Sequence, residues 1–475
     1  MSEYNKNYYE ELIADKVVTK ETIFRLLLEY LDTNHIPYAV LGPTDHYPDL
    51  TEEGDIDFVI SRKDFKKISH YIHKFCSQSN LIPVQMRKHE STACIFVLSF
   101  YNKQQEKFNY IKVDFCSDYI RRGHFYLSSD ELLNNRSYTY DCDKNYWQLN
   151  NTYFFIYYLI KKIDKKSINS RQFMQLVKCW SNAKPTILEK LKKFFNDDDI
   201  TIIIKTFDQK DLNYLSEKLE YLNTTLHVKV SKRLRDIISD KLKIVKWAIK
   251  PSGLVVAVLG RDGSGKSTFI NEMANSMRPY FSKTEKFHTF AGLLYRRGIF
   301  SRKKGTFSHS NPHNQKMRSS STSFLKLNLF FAESLFGYWF KIFPRKARSH
   351  FILFDRCFID VLADPVRYRI KANKVYIRVL YYLLPKPDIL IILDLPSDVL
   401  FQRKQEMNYE MSEKLRHEYL NLHSFLSNSI VINNEGEIKD TINKASTFIL
   451  NYMHEKISQG KTVTSAPIIL LKTQS

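Results

Sequence analysis

Residues 254–267 read LVVAVLGRDGSGKS, and this run restricts the fold more than any other part of the chain. Six apolar residues in succession predict a strand buried on both faces, as in a parallel sheet. The next eight, Gly260 to Ser267, match the pattern GxxxxGK(S/T) in full. STFINEMANSM follows with helical periodicity. Strand, glycine-rich turn and helix in this order form a phosphate cradle. Gly260, Gly263 and Gly265 let the backbone turn its N–H groups inward. Those donors and the positive end of the helix surround a polyphosphate, Lys266 reaches the outer phosphates, and Ser267 offers its hydroxyl to Mg²⁺. Asp262, Ser264 and Thr268 complete the residues expected around ATP.

Two further apolar runs fit the same sheet. SHFILFDRC (349–357) predicts a strand ending at Asp355-Arg356. A carboxylate at such an end can hold Mg²⁺, and the guanidinium beside it can take a phosphate by two parallel hydrogen bonds. PKPDILIILDLPSDVLFQRKQE (385–406) predicts a strand, a turn at Pro396-Ser397-Asp398, and a helix carrying Arg403, Lys404 and Glu406. A cation there can close over the transferring phosphate.

GRDGSGKST, a strand with Asp-Arg, and a strand followed by a basic helix together resemble the thymidylate kinase family of P-loop kinases, over roughly residues 252–455. The resemblance implies ATP and Mg²⁺ as cofactors, with Lys266, Asp355, Arg356 and Arg403 as catalytic residues and Ser267 and Asp355 at the metal. It places Asp262 near the acceptor's hydroxyl. CFIDVLADPVRYR (357–369) and the polar, basic stretch 291–323 depart from that family where the acceptor is chosen. DVLADPVRYR and the RKQE helix instead resemble the divergent thymidylate-kinase-like proteins found with bacterial surface-polysaccharide genes. Asp360, Asp364, Arg367 and Arg369 then become acceptor candidates beside Asp262. A true thymidylate (dTMP) kinase is the narrower alternative.

The amino-terminal 148 residues mix helices (19–36, 64–75) with strands (37–43, 55–61, 93–101, 110–116). Asp55 and Asp57 stand two apart on one strand and so face the same way; Asp114 lies on a later strand. Carboxylates aimed at one point suit a divalent metal. A glycine turn at Gly42, an Asp-x-Asp pair and a third Asp are similar to the nucleotidyltransferase fold, which implies metal at Asp55, Asp57 and Asp114 and a second nucleotide. The turn continues Pro43-Thr44, and Pro43 has no N–H to give a phosphate.

Residues 149–249 read as almost wholly helical, with a lysine cluster at 161, 162, 165 and 166 expected at a solvated helix end. The expected organisation is an α/β unit over 1–148, a helical region over 149–249, a P-loop parallel sheet with flanking helices over 250–457, and a tail over 458–475. The chain carries 72 Lys and Arg against 51 Asp and Glu, a net +21, which favours anionic partners. An ATP-switched nucleic-acid binder or a nucleotide sensor are the competing classes. Six cysteines without a CxxC pair indicate neither a zinc site nor a disulfide framework. The acidic, polar start is unlike a secretory signal. The apolar stretch 324–343 holds Lys326, Asn328 and Glu333, so a buried helix is expected there and not a membrane span. The expected protein is cytoplasmic, with a small phosphate acceptor and a second copy of itself as partners.

Overall fold

The structure is a computed structural model that describes residues 18–42, 55–121, 123–141, 144–230, 247–288, 317–403 and 409–458. The chain divides into two compact units, Met1–Val245 and Lys246–Ser475.

In the first unit, seven strands form one mixed sheet: β1 (Tyr38–Val40), β2 (Ile56–Ile60), β3 (Ile82–Glu90), β4 (Ala93–Asn102), β5 (Lys107–Cys116), β8 (Arg136–Asp141) and β9 (Lys144–Leu149). Their order is β3-β4-β5-β2-β1-β9-β8. A separate hairpin joins β6 (Tyr119–Arg121) to β7 (His124–Leu127). Strand alternation sends side chains to two cores. Tyr38, Val40, Phe58 and Phe115 pack under helices α1 (Lys20–Thr33) and α2 (Ile68–Gln78). Ala39, Leu41 and Val59 pack against α3 (Asn151–Lys165), α4 (Ser170–Leu191), α5 (Asp197–Asp208) and α6 (Leu212–Lys229). The helical region read from the sequence therefore closes the second face of the amino-terminal sheet. Helix α3 lies between sheet and bundle, which is why Tyr153 through Ile160 are all buried. The run LRDIISDKLKIVKWAIK lies mostly outside the described residues.

In the second unit, five parallel strands run in the order β11-β12-β10-β13-β14. They are β10 (Leu254–Leu259), β11 (Lys283–Phe287), β12 (His350–Asp355), β13 (Ile389–Asp394) and β14 (Ser429–Asn433). The apolar runs of β10, β12 and β13 occupy the centre. The edge strands KTEKF and SIVIN are part-exposed, and KTEKF has no continuous apolar run. The chain fills positions on one side of β10 first, then crosses to the other. The crevice that this reversal opens lies at the carboxyl ends of the strands. The longer helices are α7 (Lys266–Met277), α8 (Ser320–Gly337), α9 (Lys374–Leu383), α10 (Ser397–Arg403), α11 (Tyr409–Asn421) and α12 (Ile438–Ser458). This is a mixed α/β protein whose second unit is a P-loop parallel sheet flanked by helices.

One expectation is corrected here. Helix α8 is buried on one side only, through Ser323, Leu327, Phe330 and Ser334. Leu325, Leu329, Phe336, Trp339 and Phe340 are exposed. A uniformly apolar sequence shows no stripe, so its burial cannot be read from periodicity. No helix among the described residues is long and apolar enough to cross a membrane. No disulfide joins the described cysteines.

Candidate phosphate site and its arginine network

The loop after β10 has the backbone its glycines predict. Gly260, Gly263 and Gly265 have φ of +149°, +86° and +86°. Space demands glycine as well. A Cβ on Gly260 would stand 2.6 Å from the Leu393 carbonyl oxygen, and one on Gly265 would stand 2.5 Å from Asn434 Nδ2. Asn434 fixes the loop from the end of β14, donating from Nδ2 to the Ser264 carbonyl at 2.8 Å. Helix α7 begins with no side-chain cap, which leaves its first N–H groups to a ligand. Gly260→Ala is expected to weaken ATP binding at least about tenfold, because the strain of one such residue is of order 1–3 kcal/mol. Isothermal titration checks this; full affinity would show that the loop does not hold the phosphates.

Lys266 is buried under the loop and donates from Nζ to the Gly260 and Arg261 carbonyls at 2.9 and 2.6 Å. Burial, then the charge of Arg356, pushes its ammonium down to about 8. Ser267 and Thr268 are exposed at the first turn of α7. Ser264 is fully buried.

Asp355 ends β12 in register with Val258, the penultimate residue of β10. Its Oδ2 lies 3.1 Å from His288 Nδ1, and its buried Oδ1 has no hydrogen-bond partner among the described residues. Burial would raise this carboxyl, but His288, Lys266 and Arg356 together hold it below the usual range. A carboxylate such as Asp355 and a hydroxyl such as Ser267 are oxygen donors of the hard type that Mg²⁺ takes.

Arg356 adopts a left-handed backbone, φ +81°, which turns its side chain under the loop. One terminal nitrogen donates to Asp360 Oδ2 at 2.8 Å and to the Tyr419 hydroxyl at 3.0 Å. The other donates to Asp262 Oδ1 at 2.6 Å. Asp262 Oδ2 accepts from Arg367. Burial opposes ionisation of Asp262, yet Arg356, Lys266 and Arg367 pull it down to about 2. Asp262 is thus an anion committed to two arginines.

The structure sorts the acceptor candidates. Arg367 joins the cluster through Asp262. Asp364 is buried, with Oδ1 accepting the Arg367 backbone N–H at 3.0 Å. Asp360 is fully buried, and its oxygens accept from Arg356, Tyr368 and Tyr419, so it lies beneath Arg356 and does not face an open pocket. Arg369 has φ +55° and is partly exposed. Arg403 ends α10, and its side chain, like residues 404–408, is outside the described positions. So are residues 291–316 of the basic insertion.

Sequence reading missed several members of the network. Arg261, an unspecified position of the loop motif, is buried and donates to Ser397 Oγ at 2.6 Å and Ser412 Oγ at 2.8 Å. Arg416 grips Asp394 with two parallel bonds of 2.8 and 2.7 Å. Ser412, Arg416 and Tyr419 recur on α11 at spacings of four and three, which puts them on one face. That spacing was visible in the sequence, but nothing there said what the face meets.

In the first unit, β2 and β5 run parallel with Asp57 beside Asp114. Lys161 of α3 donates to Asp57 and lies 3.3 Å from the Tyr157 hydroxyl. Burial, then Asp57, pushes Asp114 up to about 8; burial also raises Asp55. Among the described residues no group of three His, Cys, Asp or Glu side chains is arranged to hold a metal. Of the three expected metal ligands Asp55, Asp57 and Asp114, Asp57 is paired with the Lys161 ammonium. The lysine cluster is corrected too. Lys162 is buried and Lys161 is paired, because α3 is sandwiched, while Lys166 at the helix end is exposed and pairs with Glu220. Gly42 is described, but Pro43 and Thr44 are not.

No family model matches this chain, and no curated protein matches it. Among solved structures, that of thymidylate kinase from Candida albicans matches 42% of this chain and 93% of its own, at 17% identity and a TM-score of 0.30.

Proposed function

We propose that the second unit transfers the γ-phosphoryl group of ATP to a small phosphorylated or hydroxylated acceptor. The observation that carries this reading is the meeting of three parts at one crevice: the glycine-shaped loop with Lys266, the carboxylate of Asp355, and the paired guanidinium groups of Arg356 and Arg367. A loop alone would serve any nucleotide binder. The two arginines add a place for a second anion beside the first.

In this reading the loop N–H groups and Lys266 hold the ATP phosphates. Ser267 and Asp355 would hold Mg²⁺, which supplies charge neutralisation between the β- and γ-phosphates when bound. Arg356 and Arg367 orient the acceptor. An acceptor oxygen bonds to the γ-phosphorus in line as the bond to the bridging oxygen breaks and ADP leaves; a phosphate acceptor attacks as its anion, and a hydroxyl acceptor releases its proton to solvent. Asp262 is an unsuitable base, since two arginines hold it as an anion of low basicity.

The departure of 357–369 from the thymidylate kinase pattern supports an acceptor other than dTMP, and its likeness to polysaccharide-cluster proteins supports a phosphorylated precursor of a surface glycan. The first unit is read as a nucleotidyltransferase-like scaffold whose ligand would meet the Lys161–Asp57 pair. The test is transfer of label from γ-labelled ATP with Mg²⁺ to a panel of sugar phosphates, nucleoside monophosphates and phosphorylated alcohols. Asp355→Asn is expected to reduce transfer at least about 100-fold, the scale of one well-placed electrostatic group. Turnover with dTMP would select the narrower thymidylate kinase. Label retained on ATP with every acceptor, together with steeply salt-dependent binding to DNA or RNA, would replace the kinase reading by the nucleic-acid one.

A further inference from the structure

Asp360 stands four residues after Arg356 in the one-turn helix Asp360–Ala363 and is completely buried. A carboxylate at zero exposure persists only when its oxygens are fully engaged. Here Oδ2 accepts from Arg356 at 2.8 Å and from the Tyr368 hydroxyl at 2.6 Å, and Oδ1 accepts from the Tyr419 hydroxyl at 2.8 Å. Tyr419 in turn accepts from Arg356 at 3.0 Å, closing a triangle of arginine, carboxylate and phenol.

Tyr419 comes from α11, the helix that follows α10. Its companions on the same face bind the other two parts of the crevice: Ser412 meets Arg261 of the phosphate loop, and Arg416 grips Asp394 at the end of β13. One helix face thus touches the ends of β10, β12 and β13.

We infer that Asp360 and Tyr419 are positioning residues that fix the guanidinium of Arg356 for an acceptor anion, with Tyr419 linking that orientation to helix α11. The inference rests on the reading of Arg356 as an anion contact. Without the triangle, Arg356 keeps among the described residues only Asp262 to direct it, and Asp262 belongs to the loop that must also admit ATP.

The test measures labelling of Arg356 by phenylglyoxal, a reagent for accessible guanidinium groups, followed by peptide mass spectrometry on the full chain. The variants are Tyr419→Phe and Asp360→Asn. Labelling of the buried Arg356 is expected to rise about fivefold in Tyr419→Phe, the factor one ordinary hydrogen bond controls, and further in Asp360→Asn. Exposed Arg278 should label at the same rate throughout, which separates a local change from unfolding. Inorganic phosphate should protect Arg356 in the wild-type protein, and more phosphate should be needed in Tyr419→Phe. If Asp360→Asn does not fold, Tyr419→Phe alone decides. Unchanged Arg356 labelling in folded Tyr419→Phe overturns the inference. Faster labelling without any phosphate protection upholds the positioning role but removes the anion-contact reading on which its purpose rests.

Discussion

Replacing Lys266 by alanine is expected to lower ATP turnover at least about 100-fold while leaving the protein folded, because the deleted ammonium acts on phosphate charge in a site sheltered from water. The fold should survive for a specific reason. Lys266 is held by two carbonyl oxygens of its own loop, and burial already pushes its ammonium down to about 8, so its charge contributes little net stability where it sits. Turnover by a coupled ADP assay, with a thermal midpoint measured on the same sample, checks both halves. Wild-type turnover in Lys266→Ala would end the reading of this loop as the ATP site.

The second large effect concerns stability. Asp388 precedes β13 and ties it to β10 and to the short helix Phe343–Ala347: its Oδ2 accepts the Val255 backbone N–H at 2.8 Å, and its Oδ1 takes the Lys346 ammonium at 2.6 Å. Both side chains are only 11% exposed. Asp388→Ala therefore loses an anchor of β10 and leaves Lys346 charged and buried. Breaking one partner of such a pair costs about 3–5 kcal/mol. That is a large part of the ~5–15 kcal/mol by which ordinary domains are stable. Hydrogen exchange read by mass spectrometry should show lost protection across 254–259, with peptides of the first unit unchanged. Asp388→Ala combined with Lys346→Met should recover part of the loss, since the stranded charge is gone. Full protection in Asp388→Ala alone would show that the pair adds nothing to the sheet.

The central strands of the second unit were legible because a strand buried on both faces must be apolar throughout. LVVAVL, FILF and ILIILD carry that signature without any tertiary information. Edge strands are not so constrained. KTEKF has one covered side and reads like loop, and only its register with β12 makes it a strand. In the first unit the polar edge strand β3 was missed, as were the strands from Tyr119 onward, for a related reason. The latter are short, and Arg136–Asp141 is rich in polar residues that suit a sheet edge equally well as a turn.

The site divides along the same line. The sequence alone determined the glycine-turned loop, since what shapes it is local: Gly260, Gly263, Gly265, Lys266 and Ser267 lie within eight residues, and the backbone conformation they need follows from their types. It also placed Asp355 and Arg356, which end a strand recognisable by itself. Only the tertiary structure decided what those groups meet. Asp262 pairs with Arg367 across 105 positions, Tyr419 reaches Arg356 across 63, and Arg261 reaches Ser412 across 151. Burial then fixed their roles. It enclosed Asp360 against Arg356, and it turned Lys161 from a surface lysine into the partner of Asp57. Charge type is written in the residue, but what neutralises a charge depends on which strand ends the sheet brings together.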